Sequence, residues 1–298
     1  MNEIKIRNLY KKYKNYTALE NINLNIQENK IYGLLGNNGA GKSSLLNIIN
    51  NRIFSTTGEV TLNGDTVFDN EYVQNQMFLM SEVDLYDKKM TVKKIFKWTA
   101  AFYGDFNYEL AKVLANEFNL NVSKKIGDLS TGYRSIFKLI IALCVPCKFI
   151  FLDEPVLGLD ATHRKRFYDS LIQSYIDNPR TFVISTHLIE EISNILESVI
   201  ILEKGEVILD EKIDNLYDSY FFISGNKNEL DEFINDNTLE IIGEEQLGNY
   251  ASMTIRKQQG SVDIPKNFET NKFDLQKLFV DLINKGESEN ETKSSDSI

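Results

Sequence analysis

Residues Gly36-Asn37-Asn38-Gly39-Ala40-Gly41-Lys42-Ser43 follow the pattern G-x-x-x-x-G-K-[ST], continued by Ser44. Glycines at those places let the backbone wrap an anion so that several N–H groups point inward. The Lys42 ammonium adds a point charge for the outer phosphates, and the Ser43 hydroxyl is placed for a Mg2+ ion. A second signal lies where the apolar run Phe149-Ile150-Phe151-Leu152 ends abruptly in Asp153-Glu154. That is the sheet edge at which α/β proteins bind ligands. Asp153 can hold a metal-bound water there, and Glu154 can orient and deprotonate an attacking water. Together the two segments suit phosphoryl transfer.

Other reactive side chains have plainer readings. Cys144-Val145-Pro146-Cys147 has the look of a thiol redox pair, and a helix N-terminus beside such a pair would favour the thiolate. Here the cysteines close a helix just before the Phe149 run, and a helix C-terminus disfavours thiolate. They read as two small core residues. His163 follows Ala161-Thr162 at a helix start and reads as a solvated side chain.

The elements that must position these groups follow from periodicity. Ile4 and Ile6, then Ile22, Leu24 and Ile26, alternate as strands do. The run Lys30 to Leu35 leads into the glycine-rich loop, and Ser43 to Ile49 is apolar at helical spacing, giving strand, loop and helix in that order. Residues 91–143 are mainly helical. Phe149 to Leu152 and Thr181 to Ile184 are short and wholly apolar, as buried parallel strands are, with a helical stretch between them. Val199 to Leu202 and Val207 to Leu209 form a hairpin through Glu203-Lys204-Gly205. Beyond about Asp214 the chain changes to strand-like Tyr220 to Ser224 and Ala251 to Arg256, with helix-like Lys227 to Asn235 and Asp274 to Asn284. Three segments are expected: an α/β nucleotide-binding core over 1–214 with a helical subdomain at about 85–147, a small α/β appendage over 215–285, and a disordered polar tail over 286–298.

The chain has 298 residues with 33 Lys plus Arg against 43 Asp plus Glu, a net charge of −10. Such a balance argues against a sequence-independent nucleic-acid binder, which carries a basic face. Two cysteines make no disulfide framework and fit a reducing compartment. No apolar run approaches the roughly 20 residues of a spanning helix, and Met1 to Tyr10 lacks a signal-peptide core.

With these motifs in place, the chain resembles the ATPase subunits of ABC transporters over residues 3–212. Five separated motifs stand in that family's order. Leu129-Ser130-Thr131-Gly132 resembles the signature, Leu157-Gly158-Leu159-Asp160 the D-loop, and His187 the switch histidine. Tyr13 resembles the aromatic residue that stacks on adenine, with core packing as its alternative. The resemblance implies an ABC-type P-loop fold, ATP and Mg2+ as ligands, and two cassettes packed head to tail. Each ATP would lie between one phosphate loop and the partner's Ser130 and Gly132, with Asp160 linking the sites. It further implies an integral membrane subunit, and so a cytoplasmic protein held at the inner face of the membrane.

Three positions depart from the family pattern. Ser81 stands where a glutamine usually contacts Mg2+, with Glu82 next to it as a substitute. Thr131 replaces a glycine, and Tyr133-Arg134 stands where a glutamine would follow. A single phosphate loop and a single signature count against a two-cassette soluble protein. The interval from Lys42 to Ser130 has no room for the long coiled coil of chromosomal ATPases. A soluble regulatory ATPase remains as the alternative. Leu129 to Ser135 and the ending Leu275 to Ile283 resemble bacterial peptide-export systems. More narrowly, the chain is similar to ATPase subunits that export phenol-soluble modulins, which are amphipathic, antimicrobial-type peptides.

Overall fold

The structure, a computed structural model, describes residues 2–83, 85–257 and 262–295. In chain order it begins with β1 (Glu3–Tyr13), β2 (Tyr16–Gln27), β3 (Ile31–Leu35), α1 (Lys42–Ile49), β4 (Thr57–Leu62), β5 (Asp65–Thr66), α2 (Glu71–Gln74) and β6 (Met77–Met80). Next come α3 (Val92–Tyr103), α4 (Tyr108–Glu117), α5 (Thr131–Cys144), β7 (Phe149–Asp153), α6 (Ala161–Asp177), β8 (Thr181–Ser185), α7 (Ile189–Ile192), β9 (Ser198–Glu203) and β10 (Glu206–Lys212). The last elements are α8 (Ile213–Ser219), β11 (Tyr220–Asn226), α9 (Lys227–Asp236), β12 (Glu240–Leu247), β13 (Tyr250–Arg256), β14 (Glu269–Asn271) and α10 (Leu275–Ser295).

The chain divides into two compact units, 1–188 with 194–210, and 189–193 with 211–298. In the first, a six-stranded sheet of order β10-β9-β3-β8-β7-β6 carries the site. Its central pairs are parallel, with β3 between β8 and β9, and β7 between β6 and β8. Parallel strands covered on both faces need unbroken apolar runs, and every residue of β3, β6, β7 and β8 is buried. Fully burying Phe149 and Phe151 contributes about 2–3 kcal/mol each. An antiparallel sheet of order β2-β1-β4-β5 lies in the same unit. Its inward residues Ile4, Ile6, Ile22, Leu24 and Ile26 share one core cluster with Leu45, Leu46 and Ile49 of α1.

The interval expected to be helical holds α3, α4 and α5. Each starts on a capping side chain, Thr91, Asn107 and Ser130 respectively, which accepts a backbone N–H two or three residues into the helix. Ten successive residues of α5, Ser135 to Cys144, are buried.

The second unit has a four-stranded antiparallel sheet of order β12-β13-β11-β14. Strands β12 and β14 are its edges and escape the periodicity reading. The second half of β12 is exposed, as is all of β14, so neither shows an apolar face. The expected unstructured tail is corrected in part. Helix α10 continues past Gly286 to Ser295, through a stretch with Glu at every second position from Glu287 to Glu291, and Glu is a good helix former. Residues 296–298 lie outside the described residues.

Cys144 ends α5 and Cys147 lies just beyond it, both buried and free. Burial pushes each thiol up to about 12, with the nearby Arg180 guanidinium pulling the other way. Thiols buried in apolar surroundings stay protonated and are poor partners in exchange chemistry. Thiol reagents are expected to modify the native chain only as fast as it unfolds. Mild oxidation should leave ATP turnover unchanged, and a reversible change in turnover would revive the redox reading.

Candidate active site

The phosphate-binding loop joins β3 to α1, and its backbone explains its glycines. Gly36 has φ +156 and packs so tightly that an added Cβ would stand 2.3 Å from the Leu202 carbonyl oxygen. Gly41 has φ +107, and its Cβ would stand 2.6 Å from the Ala18 carbonyl oxygen. Gly41 is also the N-cap of α1, and no side chain caps that helix or brings an acid to its first turn. Its first N–H groups and dipole are therefore available to an anion. Asn37, Asn38, Gly39 and Ala40 form the turn between, closed by the Ala40 N–H donating to the Asn37 carbonyl.

Lys42 is buried, and its Nζ donates to the carbonyls of Gly36 at 2.7 Å and Asn37 at 3.2 Å. Burial lowers its pKa, while the negative charges of Glu154, Asp153 and Glu203 act to raise it. The ammonium is thus held at the mouth of the loop with carboxylates near it.

The acidic end of β7 meets α1 from across the sheet edge. Asp153 Oδ1 accepts from Ser43 Oγ at 3.2 Å and from Ser185 Oγ at 3.1 Å. These are hard oxygen donors, and a Mg2+ ion needs only one or two protein oxygens when substrate phosphates and waters complete its shell. Among the described residues no three His, Cys, Asp or Glu side chains gather as a metal cluster. The Ser43–Asp153 pair is therefore the part of the chain that fits Mg2+, and only beside a bound phosphate.

Glu154 has φ +46, a left-handed conformation that costs a non-glycine residue about 1 kcal/mol or more. Its N–H donates to the Ser185 carbonyl at 2.9 Å, which fixes the bend. The side chain is only 14% exposed, and Oε2 lies 3.0 Å from His187 Nδ1. Strain at this residue turns the carboxylate off the strand line toward the cleft and His187.

A cleft of about 320 Å³ unites these groups; Lys42, Ser43, Ser44, Asp153 and Glu154 are among the residues lining it. Tyr13 lines it as expected, with Lys11 Nζ 4.6 Å from its ring centre. Tyr16 lines it too, its hydroxyl donating to the Gly39 carbonyl at 3.1 Å. No motif in the sequence marks Tyr16. Ser185 was also missed, although a polar residue ending an otherwise apolar strand is a signal, and the β7–β8 register sets it opposite Asp153.

Strand β6 ends at Met80, and Ser81 opens the following loop. Glu82 lines the cleft of the phosphate loop, and Ser81 and Glu82 both line a smaller cavity shared with Asp153 and Glu154.

Ser130 and Gly132 lie at the N-terminus of α5, outside the cleft. Ser130 Oγ accepts from the Tyr133 N–H at 3.3 Å, and Gly132 packs against Gly158, where a Cβ would stand 2.7 Å from the carbonyl oxygen. Asp160 is the N-cap of α6; it accepts from the His163 N–H at 2.9 Å, and its Oδ2 lies 2.8 Å from His163 Nδ1. These hydrogen bonds from His163 hold the Asp160 carboxyl below its ordinary pKa. His163 is therefore a helix-cap partner and not a free solvated side chain. The phosphate loop, Ser43, Asp153, Glu154 and His187 come together, while Ser130, Gly132 and Asp160 are not among the residues lining that cleft.

The chain resembles known proteins over about seven-tenths of its length. A family profile described as "ABC transporter" matches residues 19–157. The ABC transporter ATP-binding protein NatA of Bacillus subtilis is 31% identical over 221 residues, covering 72% of this chain and 89% of NatA. The lantibiotic transport ATP-binding protein SrtF of Streptococcus pyogenes is 28% identical over 213 residues, covering 71% of this chain and 91% of SrtF. A solved dimer of an ATP-binding cassette in a post-hydrolysis state with ADP and Pi superposes with TM-score 0.64 at 25% identity, over 70% of this chain and 98% of that one.

Proposed function

The chain belongs to the ABC transporter ATP-binding proteins, and from that premise we propose that it is the ATP-hydrolysing subunit of an exporter of amphipathic, antimicrobial-type peptides. In this reading two cassettes close on ATP and drive a separate membrane subunit. The observation that carries it is the single cleft shared by Lys42, Ser43, Asp153 and Glu154, with His187 bonded to Glu154.

The residues divide the work by position. The inward-pointing N–H groups of the loop and of the first turn of α1, with the Lys42 ammonium, offset charge on the β- and γ-phosphates, with the adenine on Tyr13. Mg2+ held by Ser43 and Asp153 would neutralise charge developing between those phosphates. Glu154 orients the attacking water and takes its proton, while His187 holds the Glu154 carboxylate and faces the γ-phosphate. Ser130 and Gly132 of a second cassette complete the anion site, with Asp160 at the seam. Hydrolysis follows from positioning and preorganised charge.

Coupling to a membrane subunit is supported by the surface. Among the described residues no helix is long and apolar enough to cross a membrane. Phe54, Phe68, Trp98 and Phe102 are large exposed aromatics of the first unit, with Phe54 and Phe68 edge to face at 5.4 Å. Aromatic side chains of this kind are enriched at protein interfaces. Peptides as cargo are supported by the likeness to the lantibiotic transport protein and by the signature Leu129 to Ser135.

The test is recovery of tagged chain from gently solubilised membranes, with ATP turnover measured on what is recovered. An integral membrane protein is expected to come with it, together with this chain alone or a second cassette. Cells lacking the chain should become more sensitive to amphipathic peptides. A chain that stays wholly in the soluble fraction without a membrane partner would overturn the transport reading and favour a soluble regulatory ATPase.

A further inference from the structure

The loop leaving β6 lacks the glutamine that the family resemblance leads one to expect, and a lysine from another element holds it. Lys138, in the middle of α5, is 7% exposed, and its Nζ donates to the backbone carbonyls of both Ser81 and Glu82 at 2.9 Å. Burying an ammonium is costly unless acceptors meet it. The neighbouring positions Phe137, Leu139 and Ile140 are fully buried apolar residues, so packing alone would be served by a hydrocarbon at 138. The charge answers to the loop.

The same face of α5 grips the loop after β7. Ser135, three residues before Lys138, donates from Oγ to the Leu157 carbonyl at 2.9 Å. Gly132, three residues earlier again, is the residue packed against the Gly158 carbonyl. Positions spaced by three or four share one helix face. This face therefore fastens the two loops that flank Asp153 and Glu154, around a cavity of about 100 Å³ lined by Ser81, Glu82, Ser135, Lys138, Asp153 and Glu154 among others. The N-terminus of the same helix carries Ser130 and Gly132.

We propose that Lys138 is a positioning residue that ties the Ser81–Glu82 loop to the signature helix, so that docking of that helix on a second cassette's nucleotide sets the Glu82, Asp153 and Glu154 carboxylates of its own site. The proposal rests on the cassette-dimer reading above. Three contacts spaced along a buried helix move with it as one body, because a packed interior shifts between discrete arrangements and does not deform smoothly. Occupancy of one composite site thereby becomes a geometric change at the other. Glu82, which lines both the small cavity and the nucleotide cleft, is the side chain that such a shift would carry.

The test uses the full chain with ATP and Mg2+. Lys138→Met keeps the stem and removes the donor; Lys138→Arg keeps a donor. Affinity for a fluorescent ATP analogue, which reports the phosphate loop, is expected to change less than twofold in Lys138→Met. Its kcat is expected to fall at least tenfold, with Lys138→Arg restoring a substantial part. In a Glu154→Gln background, sedimentation should show ATP-driven dimers that need at least tenfold more ATP when Lys138→Met is added. A folded Lys138→Met chain with wild-type kcat and an unshifted ATP requirement would overturn the assignment, and so would a loss of nucleotide affinity parallel to the loss of kcat. If Lys138→Met does not fold, Ser135→Ala removes the second tether, and unchanged turnover and dimerisation there would overturn the coupling. If Glu154→Gln alone never dimerises with ATP, it is the cassette-dimer reading that fails.

Discussion

Glu154→Gln is expected to lower ATP turnover by about 10²- to 10⁴-fold, the usual contribution of a positioned general base, while ATP affinity stays near wild type. The amide keeps the shape of the side chain and a hydrogen bond to His187, and loses the ability to take a proton from water. The backbone at Glu154 is held by its own N–H on the Ser185 carbonyl, so the substitution keeps the local fold while removing one of the negative charges that act on Lys42. Binding without turnover should then let the closed pair of cassettes accumulate. The measurement is phosphate release set against nucleotide binding on the same preparation. Wild-type turnover in the variant would remove Glu154 from its role, and a parallel loss of binding would make it a structural residue.

Lys42→Ala is expected to weaken ATP binding on the order of 100-fold or more. Hydrogen bonds to charged groups contribute about 1.5–3 kcal/mol each, and the ammonium is placed to make more than one to the phosphates. Its hydrogen bonds to the Gly36 and Asn37 carbonyls show that the amino group already sits inside the loop. Because burial lowers the Lys42 pKa, the charged form is lost at a lower pH than for an exposed lysine. ATP affinity should therefore decline on the alkaline side before pH reaches the ordinary lysine value, and bound phosphates should shift that decline upward. Titration by calorimetry at several pH values checks both statements, and unchanged affinity in Lys42→Ala would mean the loop is misread.

Much of this was open to reading from residues because it is local. A glycine with positive φ next to Lys42, a wholly apolar strand ending in Asp153-Glu154, and a serine at a helix start each express a constraint satisfied within a few residues. The existence of the buried strands β3, β7 and β8 follows similarly, since buried parallel strands need continuous apolar runs, whereas the order that sets β8 between β3 and β7 does not. The polar edge strands β12 and β14 were not legible, because their stability comes from pairing with β13 and β11 and not from an apolar face.

What only the tertiary structure decided is which distant residues meet. Ser185 reaches Asp153 through strand register, and Tyr16 reaches Gly39 through the turn between β1 and β2. Glu82 lines both the phosphate-loop cleft and the smaller cavity that it shares with Ser81, Asp153 and Glu154. Lys138 looks from sequence like a charge interrupting an apolar helix, and its meaning lies in two carbonyls more than fifty positions away. Sequence alone determined the phosphate loop, the acid pair and the order of elements, because backbone conformation and apolar burial are written in short range. Folding decided the partners, because a hydrogen bond between distant segments depends on how whole strands and helices pack.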